Sequence, residues 1–180
     1  MMRSKIVMSF VLFLGLSFGA HAELKVGTTL TPFELTGDDG GRLDGSPWST
    51  KELAGKVSVL FYVDPDVKDL NEKFGDLLKD KDYSKDLINY VAIINMEATP
   101  LPNFLIASSL KVKQRRYTST LYLKDYTKKL AREVKFVDDD YNILILDAQG
   151  KILFFKNGKM NDEEITKAIG LIEGHFPKKS

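Results

Sequence analysis

Val57-Ser58-Val59-Leu60-Phe61-Tyr62-Val63, running directly into Asp64-Pro65-Asp66, decides the fold of this chain. Seven apolar, β-branched and aromatic residues in succession, with a single Ser among them, suit a strand covered on both faces. Pro65 is favoured at a first helical position, and Asp64 before it can accept a hydrogen bond from a free backbone N–H. Val67, Leu70, Phe74, Leu77 and Leu78 then recur at helical spacing. The stretch therefore predicts a buried strand, a sharp turn and an amphipathic helix.

Downstream the pattern repeats. Tyr90–Ile94 (YVAII) is a second buried strand. Pro100 and Pro102 open a helix that places Leu101, Leu105, Ser108 and Val112 on one side. Ser119–Leu123 is a third strand and Tyr126–Val134 a short helix. Asn142–Leu146 (NILIL) and Lys151–Phe155 (KILFF) flank the turn Asp147-Ala148-Gln149-Gly150 as a hairpin. After the Asn157-Gly158 turn, Asn161-x-x-Glu164 caps a last helix with Ile165, Ala168, Ile169 and Ile172 facing inward. Upstream, Pro32–Leu35 is a short strand and Gly37–Pro47 (GDDGGRLDGSP) a loop. Ser49-x-x-Glu52 is a capping box, with Gly55 as the stop. The order β-α-β-α-β-α-β-β-α demands parallel pairing in its βαβ units and adds an antiparallel hairpin. The expected architecture is a three-layer α/β sandwich, with a mixed central sheet flanked by helices on both faces.

The N-terminus carries an address. Arg3 and Lys5 precede the apolar run Ile6–Phe18, and Ala20-His21-Ala22 has the small-x-small form of a cleavage site. Residues 1–22 are thus expected to be a secretory signal peptide cleaved after Ala22, leaving one domain over 23–180 in the periplasm. The signal holds two of 26 basic residues and none of 25 acidic ones, so the remainder has a net charge of −1. Such balance offers no basic face for nucleic acid, and no membrane association is expected after cleavage. The clusters Lys111, Lys113, Arg115, Arg116 and Lys128, Lys129, Arg132 read as solvated helix faces.

The chain has no cysteine and, beyond the signal, one histidine, His175. Zinc and copper sites depend on Cys and His, and a Ser-His-Asp triad needs a histidine base. No metal or other cofactor is expected.

Several segments together carry a family likeness. They are Trp48-Ser49 through Gly55-Lys56-Val57-x-Val59-Leu60; Ser108-Ser109-Leu110; Asp147-Ala148-Gln149-Gly150-Lys151; and Lys156-Asn157-Gly158 with Glu163-Glu164. In that order and spacing the chain resembles the YtfJ family of periplasmic proteins, within the thioredoxin-like superfamily, over roughly residues 26–176. The resemblance implies a thioredoxin-like fold and a periplasmic address, and no settled reaction.

It also locates a degenerate site. Where thioredoxins carry Cys-x-x-Cys at the helix start, this chain has Tyr62-Val63-Asp64-Pro65-Asp66-Val67-Lys68, and Leu70 stands one turn on. Disulfide exchange needs a sulfur nucleophile, so thiol–disulfide oxidoreductase and peroxidase chemistry are excluded. The superfamily's cis-proline position is taken by Tyr141, preceded by Asp138-Asp139-Asp140; a non-proline cis bond costs about 2.5–4 kcal/mol, so a trans peptide is expected. The candidate binding surface comprises Tyr62, Asp64, Pro65, Asp66, Asp140 and Tyr141, with no catalytic residue assigned. Trp48 is a further candidate for lining a groove with Tyr62 and Tyr141.

Two functions compete. One is a non-catalytic binding or accessory module, with a periplasmic protein, peptide or small ligand on that surface. The other is a carboxylate enzyme, perhaps cation-dependent, using Asp64, Asp66 and Asp138–Asp140; oxygen-rich clusters suit Ca²⁺ or Mg²⁺, and a carboxylate pair suits glycoside hydrolysis only at a set separation.

Overall fold

The computed structural model describes residues 24–177; the signal-peptide reading of residues 1–22 lies outside them. A six-stranded mixed sheet forms the middle layer. Its strands are β2 (Gly40–Arg42), β4 (Val57–Val63), β5 (Ile88–Asn95), β6 (Thr120–Asp125), β7 (Tyr141–Leu146) and β8 (Ile152–Asn157). They lie in the order β2-β6-β5-β4-β7-β8. β4, β5 and β6 are parallel, whereas β7, β8 and β2 run antiparallel to their neighbours. Every residue of β4 and β7 is buried, as continuous apolar runs at a sheet centre require.

Four helices cover the sheet: α1 (Glu72–Lys81), α2 (Asn103–Arg116), α3 (Lys129–Glu133) and α4 (Asp162–Gly174). The crossovers β4–α1–β5 and β5–α2–β6 step the same way across the sheet. Right-handed connections therefore place α1 and α2 on one face, where α4 joins them through Ile165, Ala168, Ile169 and Ile172. The opposite face is closed by Leu130 of α3, Val134, Phe136 and the N-terminal segment bearing Phe33, Leu35, Trp48 and Leu53. In that segment β1 (Glu34–Leu35) pairs with β3 (Trp48–Ser49) as a separate two-stranded ribbon. The sequence-derived order of elements thus holds from β4 to α4, and both expected capping boxes form, at Ser49/Glu52 and Asn161/Glu164.

Three local expectations change. The helix after β4 does not begin at Pro65: Pro65–Val67 is one 3-10 turn, and the α-helix starts at Glu72 with Asn71 as N-cap. Asn71 is 4% exposed, and its side chain ties this junction to the last turn of the domain, donating to Gly158 O and accepting from Met160 N. The Gly37–Pro47 loop contains the edge strand β2, because glycine permits an approach no side chain would. Gly40 has φ 132°, and a Cβ there would lie 1.9 Å from Lys124 O. On α2 the packed residues are Ile106 and Leu110, whereas the predicted inner face is exposed at Leu101, Leu105, Ser108 and Val112.

Candidate functional site

The residues read as a degenerate thioredoxin-type site begin at the C-terminal end of β4. Asp64 is 6% exposed; its carboxylate accepts from the Asp66 N–H at 2.8 Å, and its own N–H donates to Asp140 O. Burial pushes the Asp64 carboxyl above its ordinary value; the Asp66 N–H opposes this, while the charges of Asp66, Asp139 and Asp138 add to it. Asp66 is exposed and accepts from Thr99 Oγ1 at 3.0 Å. Pro65 is buried. The Asp140–Tyr141 peptide is trans.

Sheet parity separates the two tyrosines. Tyr141 is the register partner of Val63, and cross-strand partners share a face. Tyr141 therefore packs edge-on to Phe61 on the α1/α2 face. Tyr62, one residue away on β4, points to the other face, where it stacks on Phe136 and donates to Asp125 Oδ2 at 3.3 Å. Trp48, 2% exposed, is core on that same face. Tyr62, Tyr141 and Trp48 consequently line no common groove.

The remaining carboxylates are engaged with other partners. Asp138 accepts from Lys128 Nζ at 2.9 Å and Asn95 Nδ2 at 2.8 Å, and Lys128 also reaches Asp139 at 3.4 Å. Desolvation opposes ionisation of Asp138, but the Lys128 and Asn95 hydrogen bonds outweigh it and hold its carboxyl below the usual range. Asp140 accepts from the Tyr141 N–H and from Asn157. Among the described residues no three His, Cys, Asp or Glu side chains come together as a metal would need. Lys128 thus balances the Asp138–Asp139 pair.

What the α1/α2 face does contain is a cavity of about 390 Å³ between the sheet and these two helices. Its floor is Phe61 and Val63 of β4, Tyr90 and Ala92 of β5, Tyr122 of β6 and Tyr141 of β7. Of the six candidate surface residues, Pro65 and Tyr141 line it. Three small residues account for the space. Ala92 sits on the floor beside Tyr122, Gly75 faces in from α1, and Ser109 from α2. A Cβ at Gly75 would meet nothing nearer than Tyr117 Cε1 at 4.0 Å.

The polar groups on this wall include tyrosine hydroxyls, with Asn71, Ser109 and Thr120. Tyr117 donates to Asp76 at 2.8 Å and Tyr83 to Glu173 at 2.7 Å. The Tyr90 hydroxyl is buried without any partner. Burial raises the pKa values of Tyr90, Tyr141 and Tyr122, the last to about 12, so all three are neutral at physiological pH. At the rim, Lys113 is paired with Asp69 at 2.8 Å and Arg116 with Asp76 at 2.9 Å and with Glu72. A space with a largely apolar floor and neutral tyrosines favours a mostly apolar molecule.

Sequence reasoning missed Gly75, Ala92, Ser109 and Tyr90. Its one available signal was a small residue inside an otherwise large apolar pattern, Gly75 within the α1 heptad and Ala92 within YVAII; nothing local shows that they face one another.

Residues 34–175 match the family model described as "Bacterial protein of unknown function (YtfJ_HI0045)", and the chain belongs to that family. An uncharacterized protein of Haemophilus influenzae is 29% identical over 133 residues, covering 71% of each chain. The Escherichia coli K12 uncharacterized protein YtfJ is 22% identical over 177 residues, 94% of this chain and 96% of that one. Among solved structures, a putative thioredoxin from Neisseria meningitidis superposes with TM-score 0.59 at 16% identity, covering 83% of this chain and 92% of that one. BsSco, of the Sco family of cytochrome c oxidase assembly proteins, gives 0.60 at 16%, covering 88% and all of that chain. At these identities the likeness establishes a thioredoxin-like fold, here without a single cysteine.

Proposed function

We propose that this YtfJ-family chain is a periplasmic, non-catalytic binding module whose ligand site is the cavity beneath α1 and α2. The carrying observation is the cavity of about 390 Å³ between the sheet and the two helices, floored by Phe61, Val63, Ala92, Tyr122 and Tyr141. Interiors are ordinarily packed with few voids larger than a water molecule. A ligand that fills the space supplies the contacts its lining lacks. The absence of cysteine removes the fold's usual electron-exchange role, and no observation favours the hydrolytic alternative. The reading of residues 1–22 as a signal supports the periplasmic address.

The ligand this site fits is small and mostly apolar. The test is fluorescence titration of the purified protein with 1-N-phenylnaphthylamine, a neutral apolar probe. Saturable binding at micromolar concentration that Ala92→Leu abolishes, with the fold retained, is the expected result. No saturable binding, or binding that Ala92→Leu leaves unchanged, would overturn the proposal.

A further inference from the structure

The exposed face of α2 is unusual for this chain. Six large hydrophobic residues are exposed among those described: Val26, Leu101, Phe104, Leu105, Val112 and Val137. Four of the six belong to α2 and its leading turn, with Phe104 71%, Val112 56%, Leu105 47% and Leu101 46% exposed. Exposed large apolar residues concentrated on one element mark a candidate interaction surface.

The charges on the same helix are equally one-sided. Between Glu97 and Asp125 no acidic residue occurs, while Lys111, Lys113, Arg115, Arg116 and Lys124 do. The structure divides them. Lys113 and Arg116 turn toward α1 and are neutralised by Asp69, Glu72 and Asp76. Lys111 and Arg115 are exposed and belong to none of the ion pairs among the described residues. At 3.6 residues per turn, Lys111, Phe104, Arg115, Ser108, Val112 and Leu105 fall within an arc of about 120°, and exposed Leu101 stands just before the helix. Ile106 and Leu110, the buried positions, lie on the opposite side of the helix.

We propose that this face of α2 rests on an anionic bilayer surface, with Phe104, Leu105 and Val112 entering the headgroup boundary and Lys111 and Arg115 held by lipid phosphates. An interfacial helix needs an apolar strip flanked by basic residues, and this arc supplies both. Charge selects the occupant: the arc carries two unpaired cations and no anion, and the rest of the domain is close to neutral. The side chains project outward from a convex helix, a shape that suits a planar surface better than a peptide seeking a groove. The proposal revises the expectation that no membrane is contacted once the signal is removed. It stands apart from the ligand reading, since it needs only the outer side of α2. The two meet at Leu101 and Leu105, which also line the cavity, so a molecule leaving the bilayer would find the cavity's edge at the contact.

Flotation of the purified protein with vesicles tests this. Binding is expected to equimolar phosphatidylglycerol and phosphatidylcholine, and not to phosphatidylcholine alone. Each basic residue near an anionic surface contributes about fivefold to partitioning, so Lys111→Glu with Arg115→Glu should lower it at least about 25-fold. Phe104→Ser should weaken it while leaving the unfolding midpoint unchanged, as its side chain is already in water. Raising salt from about 0.1 M to 1 M shortens the screening length from about 10 Å to 3 Å and should release most of the protein. Equal binding to both vesicle types, no binding to either, or indifference to the two charge reversals would overturn the proposal. So would a concentration-dependent dimer that Phe104→Ser disperses and vesicles do not, which would make this face a contact between copies.

Discussion

Gly75 is the most direct handle on the cavity, because filling the space should raise stability and abolish binding together. It lies in the fourth position of α1, where glycine costs about 1 kcal/mol relative to alanine. Its added Cβ would make an ordinary contact with Tyr117 Cε1 at 4.0 Å and no clash. Gly75→Ala is therefore expected to stabilise the protein by about 0.5–1 kcal/mol. Gly75→Leu keeps most of that gain and sends four carbons into the cavity. Burying a leucine side chain fully is worth about 1.5–3 kcal/mol; half of that is reasonable beside an open rim, for a total near 2 kcal/mol. With a urea m-value of about 1–3 kcal/mol/M, the unfolding midpoint should rise by about 1 M. The same variant should weaken 1-N-phenylnaphthylamine binding at least about tenfold, the equivalent of 1.4 kcal/mol. Urea titrations of the three proteins, with and without probe, measure both quantities. A Gly75→Leu protein less stable than wild type, while Gly75→Ala is more stable, would show that no room exists there. A stabilised Gly75→Leu protein with unchanged probe affinity would place the probe elsewhere.

Tyr90→Phe removes a buried hydroxyl that has no partner and should stabilise the free protein by about 1 kcal/mol in urea titration; a loss of stability would mean that the hydroxyl is bonded in solution. Asp125 is fully buried and accepts from Thr127 N, Lys129 N, Leu130 N and Tyr62 Oη, so Asp125→Ala should cost about 3–5 kcal/mol and expose the start of α3 to amide exchange. Burial raises the Asp64 pKa in the folded protein; the native state then binds a proton more tightly than the unfolded chain, and this group's contribution to stability falls as pH rises past its unfolded value of 3.8. Asp64→Asn, which keeps an acceptor for the Asp66 N–H, should be more stable than wild type at pH 7, with the advantage vanishing near pH 3 in parallel urea titrations. Gly40→Ala would set a Cβ against Lys124 O and should cost more than about 2 kcal/mol or detach β2, seen as lost exchange protection at Lys124.

Much of the architecture could be read directly from residue order. The apolar run Val57–Val63, the NILIL/KILFF hairpin and the Asn161 capping box each encode their element locally, through periodicities of 2 and 3.6 and through side chains that bond their own backbone. Proline was read too strongly. Asp64-Pro65 begins a turn, as its chemistry requires, but α1 starts only after Asn71, whose side chain makes no capping bond and instead holds Gly158 and Met160, almost 90 residues away. On α2, Leu101, Leu105 and Val112 make as regular a stripe as Ile106 and Leu110, and hydrophobicity alone cannot tell which of two stripes meets the sheet.

By itself, then, the sequence determined the order of elements, the layering and the exclusion of thiol chemistry, since each depends on residue type or near-neighbour spacing. The tertiary structure alone decided the register that pairs Val63 with Tyr141 and so turns Tyr62 and Tyr141 to opposite faces. It alone brought Gly75, Ala92 and Ser109 around one space. Strand side chains alternate with a period of two, so a single step of register exchanges the faces, and a void forms only where distant small residues meet.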